Sequence, residues 1–327
     1  MRCAAVLLAA GLLTGCGSKE APSNTSAAQG AATKRTSAAP SKANATAEEV
    51  AREARGKVKC PAPLRTAGRK PNAPVDDVVG VRPGLTYDEA VNVVLCSHEL
   101  LVAGEVTHRN FQIQTYGEKL RQGFVASFAK PRVQKNPRDF MKEMQAASIA
   151  AATNRARPRT EPGQSRWYVA TIGAPGEERV VHASREEVFE QGRNPTMESV
   201  EQALIKKYGT PTISENGLEG SRHLRWAYDP LGQRIPASSP LNGRCRVVPS
   251  PDAATSFSTE CGLVVAASVT PLRENPALGR MLQVAVIDQA GGYEAITGTE
   301  RLLEQREMQR RWRQVEEAAK NAAAPTL

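Results

Sequence analysis

The chain is poor in aromatic residues: Phe, Trp and Tyr make up 5% of its 327 residues. Its core must therefore lean on Val, Leu, Ala and Ile. Histidine is also scarce, at His98, His108, His182 and His223. No HExxH places two of them on one helical face, which excludes a zincin on motif grounds. No GxSxG elbow and no glycine-rich phosphate loop are present. CxxC is missing too, and no histidine pair stands near a cysteine, so the spacing does not resemble a zinc site. No metal ligand and no cofactor are expected. One SxxK occurs, Ser127-Phe128-Ala129-Lys130. It lies in a segment that alternates as a strand, and residues three apart on a strand point to opposite faces. Its partner motifs KTG and SDN are missing, so no catalytic residue is assigned.

What is present begins at the first residues. Arg2 is followed by Ala4 to Leu13, ten residues without a charge. That is too short to cross a bilayer, which needs ~20 residues, but has the length of a signal-peptide core. Leu13-Thr14-Gly15-Cys16 closes it. This tetrad resembles the lipobox of bacterial lipoproteins. The resemblance implies removal of residues 1–15, a diacylglycerol on the Cys16 thiol and an acyl chain on its new amine. Several acyl chains anchor far more firmly than one, since each buried methylene contributes ~0.8 kcal/mol. Gly17 stands where enteric-type lipoproteins retained in the inner membrane carry aspartate. The expected place is therefore the outer membrane, on its periplasmic face.

That setting governs the remaining features. The formal charge is +9, and only Arg2 leaves with the signal. Basic charge on an envelope protein points to anionic envelope polymers or other envelope proteins, not to nucleic acid. Of six cysteines, Cys3 departs and Cys16 is lipidated. Cys60, Cys96, Cys245 and Cys261 remain, and an oxidising compartment predicts disulfides. Four thiols allow three connectivities. Cys60–Cys96 and Cys245–Cys261 are favoured because each closes a local loop.

Residues 16–45 hold almost nothing to bury and read as a flexible tether, with a reach of roughly 30 Å. The first α+β unit is expected over 46–153. Thr46 with Glu49, and Thr86 with Glu89, are capping boxes. Ala90, Val91, Val94 and Leu95 recur at helical spacing. Phe111–Thr115 and Phe124–Phe128 alternate around Tyr116-Gly117 and read as a hairpin. Asn136-Pro137 starts a helix with Phe140, Met144, Ala147 and Ala151 on one side. Residues 154–166, with Arg155, Arg157 and Arg159, read as an interdomain linker or an anion-binding loop. The second unit, 167–298, opens with strands at Trp167–Ile172 and Arg179–Ala183. Helices at 185–191 and 197–208 follow, then strands at RHLRWAY, near Cys245, at 261–269 and at 280–288. The end, 299–327, reads as an amphipathic helix and tail, with Met308, Trp312, Val315 and Ala319 as its stripe. Met308 and Trp312 are candidate partner contacts.

GLTYDEAVNVVLC (84–96) and PTMESVEQALIKKYGTPT (195–212) are alike in kind: a capped helix, then strands. GLTYDEA looks like the GMTxxxV signature of the SmpA/OmlA (BamE-like) outer-membrane lipoproteins. The second stretch, with Trp226 and Tyr228-Asp229-Pro230, is similar to modules of uncharacterised proteobacterial envelope proteins. These resemblances imply an α+β fold and a scaffold or assembly role. The expected function is a lipid-anchored periplasmic protein that binds or organises without catalysis. The alternatives are a peptidoglycan-directed hydrolase or inhibitor, and a small-molecule or lipid-binding lipoprotein with an apolar cavity between sheet and helices.

Overall fold

Strands built from Val, Ala and single aromatics fill the middle of the chain, and each finds a neighbour. The computed structural model describes residues 44–56, 58–106, 112–153 and 159–322. In chain order the elements are α1 (Ala47–Arg55), α2 (Tyr87–Ser97), β1 (Leu101–Glu105), β2 (Gly123–Phe128), α3 (Pro137–Ala152), β3 (Ser165–Ile172) and β4 (Arg179–Val188). Then come α4 (Met197–Tyr208), β5 (Ile213–Asn216), β6 (Arg222–Ala227), β7 (Leu263–Pro271), β8 (Gly279–Asp288) and α5 (Gln289–Asn321). The chain thus makes two similar passes, α2 before β1–β4 and α4 before β5–β8.

The passes do not form the two small units expected. All eight strands join one antiparallel sheet in the order β1-β2-β3-β4-β8-β7-β6-β5. The last strand of each pass pairs with the other, from His182↔Ile287 to Val188↔Met281. Apart, β4 and β8 would each leave a row of unpaired N–H and C=O groups at an edge. Paired, they become the centre of the sheet. The arginine-rich 154–166 stretch accordingly lies between neighbouring strands β2 and β3, and residues 154–158 fall outside the described residues.

Side-chain alternation then sets the layers. Trp167 and Val169 of β3 join one core with Ala90, Val94 and Leu95 of α2 and Val200 and Leu204 of α4. Tyr168, Ala170 and Ile172 point the other way, to a second core with Leu303, Ala295 and Ile296 of α5. The loop 235–261 covers the rest of that face, through Ile235, Cys245 and Cys261. Both faces are covered, so every residue of β3 is buried.

Both capping boxes form as expected, at Thr46–Glu49 and Thr86–Glu89, and α4 spans the expected residues. Both disulfides have the expected pairing, Cys60–Cys96 and Cys245–Cys261. Other readings fail for physical reasons. The partner of β2 is β1, with Leu101 opposite Phe128; Leu101 fills the α2 core, while Ile113 packs on the opposite side of the sheet. Phe111 lies outside the described residues. The helix expected at 185–191 is instead the end of β4, held by β3 on one side and β8 on the other. Near Cys245 there is a short 3-10 turn, Pro240–Gly243, in place of a strand. Helix α5 starts ten residues earlier than read, at Gln289, with the Asp288 carboxylate accepting from Gly291 N at 3.0 Å. Its glycine pair hid this start. Gly292 is needed because a Cβ there would stand 2.3 Å from the Phe257 ring.

A single sheet implies a single transition. In a W312F background, W226F leaves the tryptophan of β3 as reporter and W167F leaves that of β6. Urea titration followed by tryptophan fluorescence and by far-ultraviolet circular dichroism should give one midpoint for each variant. Separate midpoints would restore two independent units.

Candidate functional site

The seam between β4 and β8 carries an apolar concavity of about 390 Å³, roofed by α4. Its floor is Arg185 of β4 beside Leu282 and Val284 of β8, and Arg185 and Val284 are direct cross-strand partners. Val200, Ala203 and Leu204 of α4 form the roof, and Val79 stands at one end. Each pass supplies part of the wall, so the pocket exists because the passes merged.

The local sequence fixes the roof. Thr196 Oγ1 accepts from Ser199 N at 3.0 Å and starts α4; Gly209, at φ 81°, ends it. Asp77 then ties the end of α4 to the turn at 78–81. Its carboxylate accepts from Lys207 Nζ and from Gly80 N, both at 2.8 Å, and its carbonyl accepts from Tyr208 Oη at 2.8 Å. Burial, aided by the Asp77 charge, pushes the Tyr208 hydroxyl well above its usual pKa. Trp226 packs 5.1 Å from the Tyr208 ring and donates Nε1 to Gly209 O at 2.8 Å. Within the turn, Val79 has φ 47°. That region strains a β-branched residue.

Arg185 is unusual for a sheet face covered by helices. It lies over the Trp167 ring at 5.6 Å and donates Nη1 to Glu187 Oε2 at 2.7 Å. Its Nε is buried with no hydrogen-bond partner among the described residues. Sequence reasoning missed it because 185–191 was read as a helix. The available signal was an Arg and a Glu two apart, which share one face of a strand.

Several other charged groups are already engaged, whereas Arg225 also has a buried Nε without a hydrogen-bond partner among the described residues. Burial alone would raise the Glu89 carboxyl, but it accepts from Thr66 Oγ1, Thr86 N, Thr66 N and Arg65 N and is held down at about 2. Arg166, 7% exposed, makes a bidentate pair with Asp252 at 2.7 and 2.6 Å. Arg121 bridges Asp88 and the buried Glu178 at 2.7 and 3.2 Å. A wider concavity near Asp76, Asp229 and Asp288 carries several carboxylates. Asp229 accepts the backbone N–H of Leu231 and Gln233, however, and Asp288 caps α5. Burial raises the Asp76 carboxyl against the pull of Arg82. Ser127 sits on β2, so its SxxK partner is not one helical turn away. Among the described residues, no group of His, Cys, Asp or Glu side chains could hold a metal ion.

The named contact residues fall as follows. Met308 and Trp312 lie one turn apart on α5, 50% and 68% exposed. Arg159 is exposed. Cys16, Arg155 and Arg157 lie outside the described residues. No protein-family model, curated protein or solved structure matches this chain.

Two acid-sensitive groups and one ion pair give expected outcomes. Glu89 has a folded pKa far below its ordinary 4.5. Its contribution is present above pH ~4.5 and is lost as pH falls towards ~2, worth up to about 3 kcal/mol. His182 is fully buried and held down to about 3 from 6.5. Below pH ~6.5 the unfolded chain therefore takes up the proton first, and stability falls with pH. Urea midpoints should drop steadily between pH 7 and 4, and H182F should flatten the upper part of that slope. D252A should cost about 3 kcal/mol by leaving the buried Arg166 with only its long 3.5 Å contact to Glu186; a loss under 1 kcal/mol would mean that Glu186 or water compensates the charge.

Proposed function

We propose that this chain is a lipid-anchored protein of the bacterial envelope that works by binding, without catalysis. Two apolar stripes facing water carry the binding part of this reading. Phe140, Met141 and Met144 of α3 are each more than half exposed, and so are Trp312 and Val315 of α5. Helices in folded proteins gain most of their stability from a packed face, and exposed apolar stripes mark contact sites. The first 15 residues of α5 cover the sheet, with Leu303 buried. Arg306 and Arg310 fix the next turns, to Glu118 Oε2 at 2.9 Å and Tyr116 O at 3.2 Å. Beyond Arg310 every described residue of α5 is exposed.

The anchor part rests on Leu13–Cys16 and is supported by two further features. Two disulfides suit an oxidising compartment. The tether also joins the fold beside α3: Ala45 pairs with Arg132, and Asn44 Oδ1 accepts from Gln134 N at 2.7 Å. The pocket over the β4–β8 seam favours a second reading, a lipoprotein that carries a small molecule or lipid.

Radiolabelled palmitate should enter the wild-type chain and be lost in C16A; equal labelling would overturn the anchor. Crosslinked envelopes should yield partners with the wild-type chain that M308E/W312E loses. Both positions are exposed, so the double variant keeps the buried contacts of α5. Equal recovery would remove α5 as a contact surface.

A further inference from the structure

We propose that the pocket over the β4–β8 seam binds a single-chain amphiphilic anion, an alkyl chain ending in a carboxylate. The inference deepens the ligand-carrying reading above and does not depend on the anchor. Three observations on separate elements carry it.

The first is shape and wall chemistry. Ligand pockets run from about 300 to 1,000 Å³ with apolar walls and few polar groups. This one, at about 390 Å³, is at the small end, which suits one chain and not a two-chain lipid. Val200 and Leu204 above and Leu282 and Val284 below line it with branched aliphatics.

The second is charge. Arg185 and Lys207 are the charged residues of the wall, and both are cations. Their acidic partners, Glu187 and Asp77, lie outside it. Arg185 also holds a spare buried donor, its Nε. An unpaired buried N–H costs free energy that a ligand carboxylate would recover. A neutral hydroxyl could accept from that donor but would leave the two positive charges unanswered, while a trimethylammonium group would offer no acceptor and meet two like charges.

The third is the rim. Val79 holds a backbone conformation that turns ordinarily give to Gly or Asn. Its side chain is 48% exposed and lines the pocket mouth. Strain of this kind persists where the surroundings over-determine it and gathers at ligand sites. Here the over-determination is visible: Val78 and Val81 exchange backbone hydrogen bonds at 2.8 and 2.9 Å, and Asp77 locks Gly80 to α4.

The test uses the full-length chain in a lysate of cells that make it. Three diazirine probes of equal chain length are compared, ending in a carboxylate, an alcohol or a trimethylammonium group. After irradiation and digestion, the labelled peptides are mapped. The carboxylate probe should label the α4 and 77–82 peptides at least fivefold more than either other probe. A203W, at an exposed position over the pocket, should cut that labelling about tenfold. R185Q/K207Q should bring the carboxylate and alcohol probes to equal labelling. Retained disulfides and an unchanged thermal midpoint would show that each variant folds. Equal labelling of the wild-type chain by carboxylate and alcohol probes would overturn the anion while leaving a ligand pocket. Labelling that survives A203W would overturn the site. Absence of any labelled pocket peptide would overturn both the inference and the ligand-carrying reading.

Discussion

The antiparallel pairing of β4 with β8 is the contact on which the rest of the architecture depends. Each strand ends a four-strand pass that follows its own helix. Each pass alone would expose a long, Val-rich terminal strand, an edge that proteins otherwise hide or charge. Pairing them satisfies both edges and makes one eight-stranded sheet. It also puts Val286, Ala183 and Ala285 at the centre of that sheet, where all three are almost fully buried. Helices α2 and α4 then share one continuous apolar core. On the opposite face α5 and the 235–261 loop complete the cover, and the Cys245–Cys261 disulfide closes that loop.

The same pairing creates the candidate site. A helix belonging to one pass and a strand belonging to the other face each other across the seam, and the gap between them is apolar with two cations. Asp77 is the small knot that holds its geometry, since one residue engages Lys207, Tyr208 and Gly80 together. Polar networks elsewhere pin loops to the sheet. Glu89 gathers the backbone at 65–66 onto the start of α2. Arg166 fastens the 252 region to β3, and Thr160 and Gln283 converge with it on Glu186.

Two helices break the pattern of burial. The amphipathic spacing of α3 is plain in the sequence, yet the structure leaves its stripe in water. The described parts of the chain that adjoin it are the last residues of the tether and Arg132 to Gln134. Between Cys16 and Asn44 the apolar residues are alanine, glycine and the two prolines Pro22 and Pro40, so the sequence there holds no large apolar side chain. Together with the outer half of α5, this leaves the molecule with a packed centre and exposed apolar side chains at its margins.

Local features were legible in the sequence because their causes are local. A Thr three residues before a Glu is a local helix-start signal, so the starts of α1 and α2 were legible. The four cysteines form two pairs that each join residues close in sequence, Cys60–Cys96 and Cys245–Cys261. Long-range choices were not legible. Leu101–Glu105 is five residues with a glycine, and only the α2 core selects it over the segment around Ile113. Arg185 to Val188 reads as a polar helix until strands on both sides claim it. The sequence by itself determined the caps and the two helix-then-strand passes, and favoured one of three cysteine pairings. Tertiary structure alone decided that the passes merge and that Arg185 faces a pocket, because a strand edge declares its partner only when that partner is beside it.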